Sequence, residues 1–405
     1  MELVKEKYQK TEIGLISSDW KVKSLGECLI KNPDYGINAA SVKYNDTLPT
    51  YLRITDISES GKYISQNKVS VNHSLSSLYF LDEEDIVFAR TGASVGKTYL
   101  YKKSDGKLVF AGFLIRAKVN SKILNYQYLY YLTQTKYYWS WVLTNSMRSG
   151  QPGINSNEIK LLPIPLPPTL QEQTIIASAI SNADTWITNL ENLLTKKRQI
   201  KQGALQELLK PKKGWVVKKL GEVGECIIGL TYSPDNVTSE GKLVLRSSNV
   251  KDNKLVYSDT VFVNVEVSEK LITRKGDILI CVRNGSRNLI GKCAYIDGRG
   301  VGETFGAFMS VFRSNYNAYI FQVFQSNIIK KQIEEHLGAT INQITNKSLN
   351  SFQIPFPTIK EQEYIVAILS DMDAEIEQLE TKLEKAKKVK QGMMQELLTG
   401  KTRLV

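Results

Sequence analysis

The chain is poor in the residues from which catalytic and metal-bound proteins are usually assembled. Its 405 residues include two histidines, His73 and His336, and four cysteines, Cys28, Cys226, Cys281 and Cys293. The histidines fall at unmatched places, so no triad or metal cluster can be built around them. No CxxC spacing occurs, which argues against zinc and against a disulfide framework and suits a reducing cytoplasm. Cys28 and Cys226 each follow Gly-Glu and precede apolar residues, as matched core positions do. No run approaches the ~18 uncharged apolar residues of a membrane helix. The opening Met-Glu-Leu-Val-Lys-Glu-Lys lacks the apolar stretch of a signal peptide, so the expectation is a cytoplasmic protein with no membrane partner. Positive charge, by contrast, is plentiful: 53 Lys and Arg against 41 Asp and Glu leave a net charge of +12. Such a surplus favours a polyanionic partner, nucleic acid being the commonest, over a merely basic protein. The charged and hydrophobic fractions, 23% and 42%, are those of a globular chain long enough for two or three domains.

The chain then repeats itself. Trp20-Lys-Val-Lys-Ser-Leu25-Gly26-Glu27 returns as Trp215-Val-Val-Lys-Lys-Leu220-Gly221-Glu222, 195 residues later. Ile164-Pro-Leu-Pro167-Pro-Thr-Leu-Gln-Glu172-Gln173 returns as Ile354-Pro-Phe-Pro357-Thr-Ile-Lys-Glu361-Gln362, the glutamines standing 189 residues apart. Lys201-Gln-Gly203 and Gln206-Glu-Leu-Leu209 return as Lys390-Gln-Gly392 and Gln395-Glu-Leu-Leu398. Solenoid periods run roughly 20–50 residues, so this is a duplicated domain. Two copies of one module imply two copies of one binding act.

After each proline-rich stretch comes a heptad pattern. Ile176, Ile180, Ala183, Ile187, Leu190 and Leu194 recur at steps of four and three, as do Ile365, Leu369, Met372, Ile376, Leu379, Leu383 and Ala386. Each run predicts a long helix with one apolar edge, and two equivalent edges pack on each other. Connectivity places one module at the start of the first helix and the other at its end. The second helix must then run back, making an antiparallel pair with a pseudo-two-fold axis. A helix over 173–209 is about 55 Å long, more than the ~34 Å of one B-DNA turn, so two reading modules would meet half-sites separated by a gap. The plainer alternative is a coiled coil with no ruler role. Gly203 and Gly392 within these helices signal close backbone approach, a bend, or tolerance near a fraying end.

Within the modules, three matched places carry polar residues suited to DNA. Arg53 and Arg246 follow alternating strands. Arg90 and Thr91, with Arg283 and Asn284, end buried strands that turn towards Lys97 and Lys292; Arg287 is added in the second copy. Gln151 and Gln343 precede the proline-rich stretches. Arginine, lysine, asparagine and glutamine read base edges or hold phosphates, although such a turn can also be a plain surface loop. Asn155 and Asn346 read first as helix caps. The aromatic run from Tyr126 to Trp141 reads as a helix packed on the module's sheet, ahead of a base-stacking platform. Gly92-Ala-Ser-Val-Gly96-Lys97 has three residues between its glycines where a phosphate loop needs four, and Asn32-Pro-Asp-Tyr35 lacks the second proline of an adenine methyltransferase motif. Pro234-Asp235 with Glu240-Gly-Lys242 imitates a nuclease pattern that the first module lacks. The expectation is a chain with no catalytic residues and no metal site.

The proline-led Glu-Gln entry into a heptad helix, present at Pro165 to Gln173 and at Pro355 to Gln362, together with the closing Leu397-Leu398-Thr399-Gly400-Lys401-Thr402-Arg403, resembles the specificity subunit of type I restriction-modification enzymes. The resemblance runs from Trp20 to Arg403. It implies an α+β chain: target recognition domains of short strands and few helices at 1–168 and 211–358, spacer helices at 169–210 and 359–400, and a tail at 401–405. It implies that each domain reads half of a bipartite, gapped site in double-stranded DNA, and that the helices set the gap. Ile176, Ile187, Leu190, Leu194, Ile365, Ile376, Leu379 and Leu383 then become spacer and docking residues. The implied partners are two modification subunits, which use S-adenosylmethionine to methylate adenine, and two restriction subunits, which use ATP and magnesium. Other classes stay open: a stand-alone regulator of gapped sites, a coiled-coil scaffold, or a methyltransferase in its own right.

Overall fold

The two most closely repeated segments turn out to be strand partners. Lys21–Ser24 pairs antiparallel with Pro163–Leu166, and Val216–Lys219 with Gln353–Phe356. Both are two-stranded ribbons, in which every strand is an edge and the missing N–H of proline is tolerated. Tyr128 donates its hydroxyl to the Pro165 carbonyl at 2.7 Å, and Tyr319 does the same to Pro355 at 2.8 Å. The strongest recurrence in the chain therefore marks a structural frame.

The structure, a computed structural model, describes residues 8–337 and 342–404. It divides into two compact units, Met1–Leu190 with Lys382–Val405, and Glu191–Thr381. Each unit contains the same four-stranded antiparallel sheet. In the first its order is Asp34–Tyr35, Leu114–Ala117, Ile86–Ala89, Thr98–Leu100; in the second it is Glu225–Ile228, Met309–Arg313, Ile278–Cys281, Cys293–Tyr295. The inner strands Ile86–Ala89 and Ile278–Cys281 are buried along their whole length, as near-continuous apolar runs require. A second four-stranded sheet follows, holding one parallel pair in each unit: Leu108–Phe110 with Thr50–Leu52, and Thr304–Phe305 with Lys242–Leu245.

Two helices of 39 residues, Leu170–Leu208 and Ile359–Leu397, are the longest elements. Each is shared between the two units. In the first unit Ile176, Ala177 and Ile180 join Met394, Leu397 and Leu398 in one core with Trp20, Phe88 and Tyr138. In the second, Leu205 and Leu209 join Ile365 and Leu369 around Phe312 and Tyr319. Ion pairs flank these seams, Lys390 with Asp184 at 2.6 Å in one unit and Lys201 with Asp373 at 2.5 Å in the other. Ile176, Ile187, Leu190, Leu194, Ile365, Ile376 and Leu383 are all buried, and Leu379 is half-buried. These residues thus turn inward, which corrects their reading as a docking surface. Burying each stabilises the fold by roughly 1.5–3 kcal/mol, and none can be spent on a partner as well.

Other sequence readings resolve in the same way. Tyr128, Tyr131 and Tyr138 are buried and Tyr126, Tyr130, Tyr137 and Trp141 pack on the same core, so the aromatic run is a packing face. A Cβ at Gly203 or Gly392 would meet nothing within 4 Å, which excludes close backbone approach and leaves a bend or tolerance. Asn155 caps the helix Ser156–Lys160 by accepting from Glu158 N. Asn346 does not cap. Thr345 takes that place, and Asn346 instead donates to the Cys226 carbonyl at 2.8 Å. The tail is held by Arg403, whose guanidinium bonds Glu172 and reaches Asp19 at 2.8 Å. At the matching place in the second unit Trp215 Nε1 donates to Glu361 at 3.1 Å, whereas Trp20 Nε1 finds no partner once Arg403 has taken Glu172.

Candidate nucleic-acid interface

In both units an arginine stands just past the end of the buried central strand, and the loop carrying the glutamine closes over it. In the first unit Ile154 N donates to Arg90 O at 2.8 Å and Gly92 N to Pro152 O at 2.9 Å, while Thr91 bridges Gly153. Gln151 lies against Gly92, for a Cβ there would sit 2.7 Å from Gln151 Nε2. In the second unit Ile344 N donates to Val282 O at 2.8 Å and Asn284 N to Asn342 O at 3.3 Å, while Arg283 bridges Gln343. Arg90, Thr91 and Gln151 therefore form one group, and Arg283, Asn284 and Gln343 another, although 60 residues separate their parts in sequence.

Aromatic rings back both arginines. The Arg90 guanidinium lies 4.7 Å from the Tyr35 ring centre, and that of Arg283 lies 5.0 Å from Phe308. Arg90 Nε is buried without a partner, leaving a donor to be satisfied. Arg90 N donates to Phe113 O at 3.0 Å and Arg283 N to Phe308 O at 3.1 Å, so the same phenylalanine recurs beside each arginine. Phe113 is 58% exposed and Phe308 is 55% exposed, which is costly for an apolar ring left largely in water. Sequence reasoning missed both. The signal was present, a Gly-Phe or Ala-Phe step directly before a buried strand, but exposure cannot be read from that step alone. An arginine, an amide and a flat apolar ring together can bond a base edge and stack on a base or a thymine methyl.

The remaining positions divide differently. Arg53 closes on buried Asp56, with Nε at 3.0 Å and Nη2 at 2.7 Å from its carboxylate, and so serves its own turn. In the second unit Asn249 replaces that aspartate, and Arg246 turns to exposed Asp259 at 2.9 Å with its Nε unpartnered. Asn284 Nδ2 donates to Ser247 Oγ at 3.1 Å, which joins the Arg246 turn to the Arg283 group. Lys97 and Lys292 lie at the far ends of their turns. The turns depend on glycine at Gly96 (φ +83°) and Gly291 (φ +81°), where a Cβ would come within 2.6 Å of Val142 and 2.1 Å of Ile333. Arg287 reaches the Leu337 carbonyl at 3.4 Å.

Charge is also used behind the interface. Asp277, at the head of the central strand, receives Arg313 Nε at 2.9 Å and Nη2 at 2.7 Å. In the first unit Arg116 bonds Asp34 at 2.6 Å and approaches Asp85 at 3.5 Å. Burial pushes the thiols of all four cysteines up, Cys28 to about 11 and Cys226 and Cys293 to about 12. We expect none of the four to be alkylated by iodoacetamide at neutral pH in the folded chain, and all four to react after denaturation. A thiol labelled within minutes in the native protein would contradict this. Among the described residues no group of three or more His, Cys, Asp or Glu could hold a metal ion, and no helix is long and apolar enough to cross a membrane.

Comparison with known proteins agrees with the duplicated plan. The chain is 25% identical to the type I restriction enzyme MjaVIII specificity subunit of Methanocaldococcus jannaschii, across 100% of this chain and 98% of that protein. It is 26% identical to the putative MjaX specificity subunit of the same organism, across 98% and 97%. Among solved structures it shares its fold with a chain from work on assembly and conformational transition of the type I R-M system (TM-score 0.61, 18% identity, 96% and 99% covered). It also resembles the type I restriction-modification S subunit of M. genitalium (TM-score 0.59, 15% identity, 93% and 96% covered). The family described as type I restriction modification DNA specificity domain matches residues 17–202 and again 212–388. With that domain present twice and spanning nearly the whole sequence, the chain belongs to this family and is a specificity subunit of a type I restriction-modification system.

Proposed function

We propose that each recognition domain reads one half of a bipartite, gapped site in double-stranded DNA. The observation that carries this reading is the duplicated arginine, aromatic and amide group at the end of the central strand, one in each unit. In this reading Arg90, Thr91 and Gln151, with Phe113, face one half-site. Arg283, Asn284 and Gln343, with Phe308 and Arg246, face the other. Lys292 and Arg287 serve the phosphates, Lys97 is held by Glu59, and Arg53 acts through its turn. The two long helices form an antiparallel coiled coil that sets the gap. The opposite order of contacts along them, Lys197 with Glu375 and Lys201 with Asp373, supports this.

The chain itself supplies no chemistry in this scheme. Two modification subunits bring S-adenosylmethionine and methylate adenine, and two restriction subunits bring ATP and magnesium, in the cytoplasm. Since the seam residues are buried, the modification subunits dock on the outer faces of the helices. The exposed Leu193 and Ile200 of the second unit, seven residues apart, offer apolar contact there. The test is to co-purify the chain with a modification subunit and map methylated adenines across a genome. The expected result is a two-part motif with an unread gap. A continuous motif, or specific DNA binding with no modification subunit attached, would favour a stand-alone DNA-binding regulator.

A further inference from the structure

The two units carry the same cavity with opposite electrostatics. Its lining matches position by position. One wall is the lysine that ends the strand-to-turn segment, Lys97 or Lys292. Another is the glutamine closing a helix, Gln134 or Gln325. A third is the fourth residue of the next helix, Trp139 in Lys136–Ser146 and Lys330 in Asn327–His336. The last is a hairpin closed by Ile57 with Tyr63 or Val250 with Leu255, whose next residue is Ser58 or Lys251.

In the first unit the cavity is small and neutral. Its volume is about 170 Å³, Trp139 occupies one side, and Lys97 Nζ is 2.5 Å from Glu59 of the hairpin. In the second unit the volume is about 970 Å³ and tryptophan is replaced by lysine. Lys201 and Lys254 on its rim are answered by Asp373 at 2.5 Å and Glu377 at 3.2 Å. Lys251, Lys292 and Lys330 have no ion-pair partner among the described residues. Asp252 and Glu334 also line the cavity but bond none of the three. Three uncompensated ammonium groups around one open cavity repel each other, and each keeps three donors free for an anion.

We propose that this cavity of the second unit is a phosphate-binding site, formed by Lys251, Lys292 and Lys330, which the first unit lacks. Lysine holds phosphate as a point charge, and the size of the cavity admits either a phosphodiester of the DNA backbone beside the second half-site or the phosphate chain of a free nucleotide. The DNA source rests on the proposed function; the phosphate chemistry does not.

The test uses the full chain assembled with its modification subunits. K251S with K330W places the residues of the first unit in the second, and K251Q with K330Q guards against misfolding caused by the tryptophan. Both lie on exposed side chains outside the base-reading groups. If DNA phosphates occupy the site, the slope of log affinity against log salt for a duplex carrying the methylated motif falls by about 2, with the motif itself unchanged. If a free nucleotide occupies it, that slope stays and a fluorescent nucleoside triphosphate, displaced by inorganic phosphate from the wild-type complex, no longer binds the variants. Either result supports the site. An unchanged salt slope together with unchanged triphosphate binding overturns it. Wild-type complex that cannot distinguish a motif duplex from a scrambled one sinks the proposed function instead, and leaves the triphosphate measurement able to decide this inference.

Discussion

Inserting seven residues into each long helix, between Leu190 and Glu191 and between Thr381 and Lys382, is expected to lengthen the gap in the methylated motif by up to about three base pairs. Seven residues add about 10.5 Å of helix, and a base pair occupies about 3.4 Å of duplex. The insertion preserves the heptad phase, so the apolar positions around Leu190 and Leu383 keep facing the seam. Both half-sites should survive unaltered, because the Arg90 and Arg283 groups are built wholly from their own modules. Genome-wide mapping of methylated adenines reads gap and half-sites in one experiment. A two-residue insertion is the control, since it turns the seam by about 200° and should abolish assembly. An unchanged gap in the seven-residue variant, or a changed half-site, would remove the helices from any spacer role.

Asp277→Asn is expected to destabilise the second unit by about 3–5 kcal/mol, the range for stranding one partner of a buried ion pair. Asp277 is 2% exposed and holds the Arg313 guanidinium by two bonds, with a third from Arg313 to the Ile272 carbonyl at 2.9 Å. Asparagine fills the same space but leaves the guanidinium charge uncompensated beside an apolar strand. Adding Arg313→Met removes that charge and should restore part of the loss, a coupling visible only in the double variant. Chemical denaturation followed by tryptophan fluorescence and circular dichroism measures both. A loss below about 1 kcal/mol for the single change would mean that water reaches the pair and that the strand head is not dry.

The frame was legible because it rests on local periodicity. Heptads from Ile176 to Leu194 and from Ile365 to Ala386 announce helices with one apolar edge, and each proline-rich entry marks where they begin. The tryptophan-led and proline-rich repeats were visible as repeats, yet not as partners: a strand pair joining Lys23 to Ile164 leaves no trace in either segment alone. The parts of the candidate interface were visible, but not their grouping. Arg90, Gln151, Arg283 and Gln343 were all in view, and the fold then sorted them. Arg53 went to its own turn because Asp56, three residues on, is buried and needs a cation. Thr345 took the cap ahead of Asn346 because the Asn346 amide reaches the Cys226 carbonyl across the sheet.

By itself the sequence determined that two like modules are joined through two long amphipathic helices, since duplication and heptad spacing are properties of a linear pattern. Tertiary structure alone decided which cations are free. Lys97 and Lys292 occupy the same place in their repeats, and what separates them is a hairpin some forty residues upstream that brings Glu59 to one and not to the other. Charge acts through space over a few ångströms, and only folding sets that distance.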